Sequence, residues 1–402
     1  MKKLSISFVL FALAFAGVFV FGQTAWANVA PWNVNVEVCH DGVVVQYNLS
    51  EHILPQDDAD SHAYYGSAKI KAERCRQLLE LGLPQEAIFE YLLPGFSNVV
   101  KTFDFVCVQK VDSTVTFGKN GFAYTQGIDG KEVDNAALFH AMINASNGQK
   151  LPLPIATHKA ITVSELKRNA VLKGKFTTSF ASSGQNRRHN VKRAADSLNG
   201  TTVQPGEQFS FNQVVGERTV ENGYKTAKVI LDGFYSDGVG GGVCQVSTTL
   251  YNALLLSGVI PKCYAHSLVP SYVMAGFDAM VSYGSADMTF QNTTDFPLYI
   301  SASAENGKLT FCVYGQPNRY RIKRENDEVR IPFSVTEIVD EKKFPELVYT
   351  DQIAVVRGGS DGVKSVSYLA YYYGGKLVCR KKIRTDNYKK VDKIIARGAT
   401  LR

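Results

Sequence analysis

The run Gly240-Gly241-Gly242, in "GVGGGVCQVSTTLYNALLLSG", constrains this chain more than any other stretch. Glycines reach backbone conformations closed to other residues and let a second backbone come close. Directly after them Val246, Leu250, Ala253, Leu254 and Ser257 recur at the spacing of one helical face, and Gly258 and Pro261 mark the stop. The spacing predicts a helix that buries one face and shows the other. Its first turn carries Cys244. Backbone amides without partners and the macrodipole at a helix start favour a thiolate over a thiol. Two readings follow. Either Cys244 is a nucleophile presented by a glycine loop, or it is a small apolar residue packed beside a tight turn, with Ser247, Thr248 and Thr249 satisfying the first helical turn.

The chain of 402 residues opens with Lys2 and Lys3, an apolar run from Leu4 to Gly22, and a small-x-small site at Ala25 and Ala27. This is the pattern of a secretory signal peptide over 1–27, with retention as an N-terminal anchor as the alternative. The remainder is too long for one ordinary core, so several domains are expected. Seven cysteines at wide spacings do not make a small disulfide scaffold, and their odd number leaves at least one thiol unpaired outside the cytosol. No C-x-x-C pair and no H-E-x-x-H helix occurs, and neither a metal nor an organic cofactor is implied. The formal charge is +7, and its excess is C-terminal: 316–402 holds 19 Lys and Arg against 11 Asp and Glu. Outside a cell such a charge suggests anionic wall or surface polymers as partners rather than nucleic acid.

The pattern along the chain predicts an α+β, multidomain molecule. "VEVCHDGVVVQYNL" reads as two strands about Asp41-Gly42, followed by a helix over 67–83 and another between Pro84 and Pro94, all within an N-terminal α+β region, 28–111. Over 112–169 a strand, a glycine turn and a second strand precede a helix capped by Asp134, with Leu138, Ala141 and Met142 on one face. Ser164 to Lys167 matches S-x-x-K, but no S-D-N or K-T-G follows, and a serine opening a helix is ordinary capping. In 170–315 a helix from Arg187 to Leu198 turns Val191, Ala194, Ala195 and Leu198 inward, and a strand with alternating Phe209 and Phe211 follows Pro205-Gly206. From 332 to 400 the alternation is all-β, with a long hairpin about Gly374-Gly375.

The ordered stretches "SSGQNRRHN", "PGEQFSFN", "ERTVENGY", "GGGVCQVSTTLYNALLLSG", "HSLVPSYV" and "DMTFQNTTDFPLYI" resemble the VanW domain, named for a protein of glycopeptide-resistance gene clusters. The resemblance spans 170–315. "GIDGKEVD" before a helix and "KLPLPI" after it are similar to the peptidoglycan-binding domain that often precedes VanW domains, and 332–400 resembles the G-five accessory domain of cell-wall and surface proteins. Such accessory domains are thought to bind N-acetylglucosamine-containing polymers. Together the resemblances imply an exported cell-envelope protein whose partner is peptidoglycan or its glycan strands.

Three functions are compatible with these residues. In the first, Cys244 is a thiol nucleophile, His266 in "HSLVPSY" is its base, and Asp278 or Asp287 orients the imidazole, while Gly240, Gly241 and Gly242 offer N–H groups to an oxyanion. The order, a cysteine starting a helix and a histidine later, resembles NlpC-type peptidases of peptidoglycan in arrangement, although "VCQVSTTLY" lacks their Asp-Cys-Ser-Gly element. In the second, Glu221 or Glu217 of "GERTVENGY" protonates a glycosidic oxygen as in a lytic transglycosylase, with Asn212, Tyr224, Gln245, Phe211 and Tyr251 lining a glycan groove. Ser247, Thr248 and Arg218 complete the substrate-binding candidates. In the third, the segment binds peptidoglycan without catalysis.

Overall fold

The computed structural model of the chain describes residues 35–48, 77, 78, 80–231, 234–339 and 343–401. The signal segment, most of the helix expected over 67–83 and Cys75 lie outside these residues. The chain forms two compact units, one of residues up to Asp112 together with Ile128–Ala160, the other of Ser113–Gly127 together with residues from Ile161 onward. The segment 112–169 is therefore divided: its hairpin Thr114–Gly118/Gly121–Thr125 belongs to the second unit and its helix Asn135–Ile143 to the first.

In the first unit Asn35–His40 is the middle strand of three, antiparallel to Val43–Asn48 and parallel to Gln149–Pro152. Positive φ at both Asp41 (45°) and Gly42 (81°) makes the two-residue hairpin turn that strand twist favours. Asp134 caps the helix as expected, its Oδ1 accepting the Ala137 N–H at 2.9 Å. Val36, Val38, Leu138, Phe139 and Met142 form the core, with Phe89 stacked on Phe139 at 4.2 Å between ring centroids.

The second unit is built on a four-stranded antiparallel sheet in the order Val171–Ser179, Lys308–Gly315, Leu298–Glu305, Thr201–Val203. Leu309, Phe311 and Val313 alternate along one strand into the core beneath the helices Gln185–Leu198 and Val243–Ser257. Gly174 lets the second helix settle on the sheet, since a Cβ there would stand 2.2 Å from the Ala253 carbonyl oxygen. At the start of this unit Thr162, not Ser164, caps the helix Val163–Arg168, in a capping box with Glu165, and the Lys167 ammonium lies over the Tyr124 ring.

Two elements depart from the sequence expectation. The helix Val243–Ser257 is buried nearly all round rather than on one face. Its polar residues find partners inside the protein: Ser247 Oγ donates to the Ala279 carbonyl at 2.6 Å, Asn252 Nδ2 to the Phe277 carbonyl at 2.8 Å, and Thr249 Oγ1 to the Gln245 carbonyl at 2.6 Å. Chain from 277 to 279 thus covers the stripe that its polarity would have assigned to water. The strand expected through Phe211 ends at Ser210, and Phe211 opens the short helix Phe211–Val215 because the Ser210 hydroxyl accepts the Gln213 N–H at 3.0 Å.

The C-terminal part is all β. Arg321–Ile331, Gly362–Tyr373 and Lys376–Tyr388 form an antiparallel sheet with the long hairpin turning at Gly374 and Gly375. Lys393–Arg397 runs parallel to Val335–Ile338 and antiparallel to Ile353–Arg357 in a second sheet. Leu369 of the first sheet joins the central core. The molecule is mixed α+β, and none of its described helices is long and apolar enough to cross a membrane.

Candidate functional site

The glycine run has a structural cause of its own. Gly240 and Gly242 hold φ of 85° and 109°, conformations in which a side chain is strained. Gly241 is required by space instead: a Cβ there would lie 2.6 Å from the Lys228 carbonyl oxygen and 2.8 Å from that of Ala227. Passing this closely to the strand Thr226–Leu231, the run delivers Cys244 as the second residue of its helix, on the wall of a cavity of about 1160 Å³. The Val243 and Gln245 N–H groups donate to the Gly240 and Gly242 carbonyls at 3.1 and 3.0 Å and that of Gly240 to the Lys225 carbonyl at 3.2 Å, so it is the helix macrodipole that favours negative charge at the half-buried thiol.

His266 lines the same cavity. Its Nδ1 lies 2.6 Å from Asp278 Oδ2, which also accepts the His266 backbone N–H at 2.7 Å. The other face of the ring is left for the Cys244 side chain, on which the imidazole acts to favour the thiolate. Cys244 Sγ is 3.4 Å from the Val281 carbonyl oxygen. Burial works to raise the thiol pKa, but the hydrogen bond and charge of His266, with Arg218 nearby, bring it below the usual thiol value. For His266 burial works downward, and the hydrogen bonds with Asp278 and Cys244 prevail, pushing it up to about 9. Asp278 is fully buried. Burial alone would raise its pKa, whereas His266, Arg384 and Tyr388 hold it below the ordinary carboxylate value. Both shifts favour a thiolate facing an imidazolium over the neutral pair.

The other oxygen of Asp278 is held from the C-terminal β domain. Its Oδ1 accepts from Arg384 Nη2 at 2.7 Å and from the Tyr388 hydroxyl at 2.5 Å. Sequence reasoning reached Asp278 only as one of two orienters, and Asp287 is the one the structure sets aside. Its carboxylate accepts from the Ser210 hydroxyl at 2.6 Å and the Asn212 N–H at 2.9 Å, at the start of the short helix.

The remaining candidates divide. Glu217, Arg218 and Gln245 line the cavity with the three glycines. Gln245 is held on both sides of its amide, Oε1 by Arg187 at 2.8 Å and Nε2 by the Thr178 hydroxyl and the Ser179 carbonyl, each at 2.9 Å. Glu221 is exposed and absent from the cavity wall. Hydrogen bonds from its own backbone N–H and from Thr219 hold its carboxyl below the usual range, the reverse of what a general acid needs. Ser247 and Thr248 are buried against Ala279 rather than on the wall. Asn212 is buried and donates to the Ser282 and Ala286 carbonyls, while its Oδ1 accepts from Arg218 at 2.6 Å. Tyr224 is buried under the Arg193 guanidinium, off the wall. Arg187 and Tyr272 on the wall lie within "SSGQNRRHN" and "HSLVPSYV" but were not singled out as site residues, and Arg384 and Tyr388 behind it lie in another domain, where no local motif marks them.

A cysteine and a histidine on a cavity wall in an α+β domain, with a buried carboxylate behind the histidine that is held in turn from an all-β domain, define a class of candidate thiol sites. Residues 186–314 match the family described as VanW like protein, and 322–400 match the G5 domain. The chain carries a VanW domain followed by a G5 domain, and it is homologous to two curated proteins. The uncharacterized protein YoaR of Bacillus subtilis is 44% identical over 35% of this chain and 47% of its own length. The vancomycin B-type resistance protein VanW of Enterococcus faecalis is 31% identical over 32% of this chain and 50% of its own. The match thus spans about half the length of each relative. The IgA1 protease G5 domain structure, 19% identical, covers 20% of this chain and 89% of that one at a TM-score of 0.15, too low to bear an argument.

Proposed function

We propose that this chain is an exported cell-envelope protein that cleaves or exchanges amide bonds in the peptide stems of peptidoglycan. The observation that carries the reading is Cys244, at a helix start, sharing one cavity wall with a His266 that is hydrogen-bonded to the buried Asp278. In the reaction the thiolate attacks the amide carbonyl carbon, the oxyanion develops beside the glycine run and helix start, and His266 gives its proton to the departing amine. The acyl group remains as a thioester. Water, or a second amine, then attacks that carbonyl as His266 takes up the nucleophile's proton, and the thiolate leaves. Arg187, Arg218, Lys228 and Lys389 face the cavity against Glu217 alone among its described carboxylates, a balance suited to a peptide carrying carboxylates. The sequence of 1–27, the G5 domain, typical of surface proteins, and the name of the Enterococcus relative agree with a substrate in the wall.

Because Glu217 lies on the same wall, glycan cleavage with Glu217 as acid is the second reading. Purified peptidoglycan is incubated with the protein, Cys244→Ala, Glu217→Gln and Glu221→Gln, and released fragments are identified by mass spectrometry. The thiol reading expects new free amino termini, lost in Cys244→Ala and retained in both glutamate variants. Anhydro-muramyl ends lost in Glu217→Gln would transfer the chemistry to that carboxylate. Sedimentation with peptidoglycan but no product from any form would leave a binding protein.

A further inference from the structure

We propose that the C-terminal β domain is part of the reaction centre rather than an attachment beside it, supplying Arg384 and Tyr388 as positioning residues for Asp278 and, through it, for His266. The inference rests on the thiol reading above and extends it to a second domain.

A carboxylate offers about four acceptor directions. Asp278 uses them as two pairs, Oδ2 for the backbone and ring of His266 and Oδ1 for Arg384 and Tyr388. Half of its partners therefore come from a strand more than a hundred residues away. Nothing else among the described residues replaces them: Asp278 has no exposed surface through which water would serve. Removing Arg384 leaves the Oδ1 side of a fully buried carboxylate with one hydroxyl partner and only His266 to compensate its charge, which favours uptake of a proton by Asp278. A neutral Asp278 no longer steadies an imidazolium.

Both β-domain residues are fixed in turn. Arg384 Nε donates to Asp386 Oδ2 at 2.6 Å, Nη1 lies 3.2 Å from Cys263 Sγ, and the guanidinium sits over the Tyr251 ring at 5.5 Å. The Tyr388 hydroxyl accepts the Gly276 N–H at 2.7 Å while donating to Asp278. Gly276 permits this closeness, for a Cβ there would stand 1.8 Å from Ser367 Oγ of the same sheet. The charged and titratable groups about the array are thus His266, Arg384, Tyr388, Asp386, Cys263 and Tyr272 around Asp278, and His266, Arg218 and Tyr272 around Cys244. A general adhesive contact between domains would not need to converge on one carboxylate.

The test is the pH dependence of alkylation at Cys244 by iodoacetamide in the full chain, followed by peptide mass spectrometry, for wild type, Arg384→Met, Arg384→Lys and Tyr388→Phe. Expected is a thiol pKa about one unit higher in Arg384→Met, so that alkylation at pH 6 slows about tenfold. Tyr388→Phe shifts the same way by less, and Arg384→Lys, which keeps a charge and a donor, recovers part of the loss. Unfolding temperatures measured alongside separate loss of fold from loss of positioning. If Arg384→Met does not fold, Tyr388→Phe, which removes one hydroxyl, decides alone. Folded variants with the wild-type profile overturn the inference and leave the thiol reading standing. An ordinary thiol pKa in the wild type overturns both.

Discussion

At the scale of the residue, charge separation between Cys244 and His266 governs what the site can do. The thiol is held below its usual value and the imidazole is raised to about 9, so the reactive pair exists between these two titrations. Product formation from peptidoglycan is expected to follow a bell-shaped pH profile. Its acid limb appears as the thiolate takes up a proton, and its alkaline limb falls near pH 9 as His266 loses the proton that the leaving amine requires. Asp278→Asn removes the charge that supports the imidazolium, and the alkaline limb is expected to move to lower pH. A profile rising monotonically through pH 10 would place the proton donor elsewhere. The sequence singled out Cys244 and His266 because a helix start and a loop histidine are visible in the order of residues. It left Asp278 and Asp287 equal, because which carboxylate meets an imidazole depends on the path of the loop after Ser267.

At the scale of the element, the helix Val243–Ser257 shows how a polar pattern is overruled. Ser247, Thr248, Thr249 and Asn252 lie off the apolar spacing of the helix, yet each is buried and hydrogen-bonded to neighbouring chain or to the helix itself. Two glycines set how closely the rest of the fold approaches. A Cβ at Gly174 would meet the helix backbone and one at Gly241 the strand Thr226–Leu231. Gly174→Ala and Gly241→Ala are each expected to lower stability to urea by about 1–3 kcal/mol through forced backbone shifts. Gly184→Ala, at a position with open space and an ordinary φ, is expected to remain within about 0.5 kcal/mol of wild type. Equal midpoints for all three would mean that the run serves the ligand and not the fold. The glycines themselves were readable in the sequence, but their purpose was not, since neither the strand nor the sheet they touch is adjacent in the chain.

At the scale of the whole molecule, the second compact unit joins the VanW and G5 domains through buried contacts. Arg324 of the β sheet hydrogen-bonds Asn252 and lies over the Phe176 and Phe277 rings, and Leu369 is part of the central core. Calorimetry is expected to show these two domains unfolding in a single transition. Leu369→Ala, which empties a fully buried site, is expected to destabilise that transition by about 2–5 kcal/mol without splitting it. Separate transitions, with only one shifted by the substitution, would show two independent cores.

By itself the sequence determined what local order can encode: the helix stops, the hairpins at Asp41-Gly42 and Gly374-Gly375, the cap at Asp134, and a cysteine following a glycine run. It also carried the motifs of both domain families, because those are contiguous stretches of chain. Only the tertiary structure decided that the central helix is buried nearly all round, which aspartate serves His266, and that Glu217 borders the cavity while Glu221 does not. The physical reason is the same in each case. Burial and electrostatic pairing are properties of distance in space, and the partners that fix Asp278 reach it from a strand that no periodicity near Cys244 could have revealed.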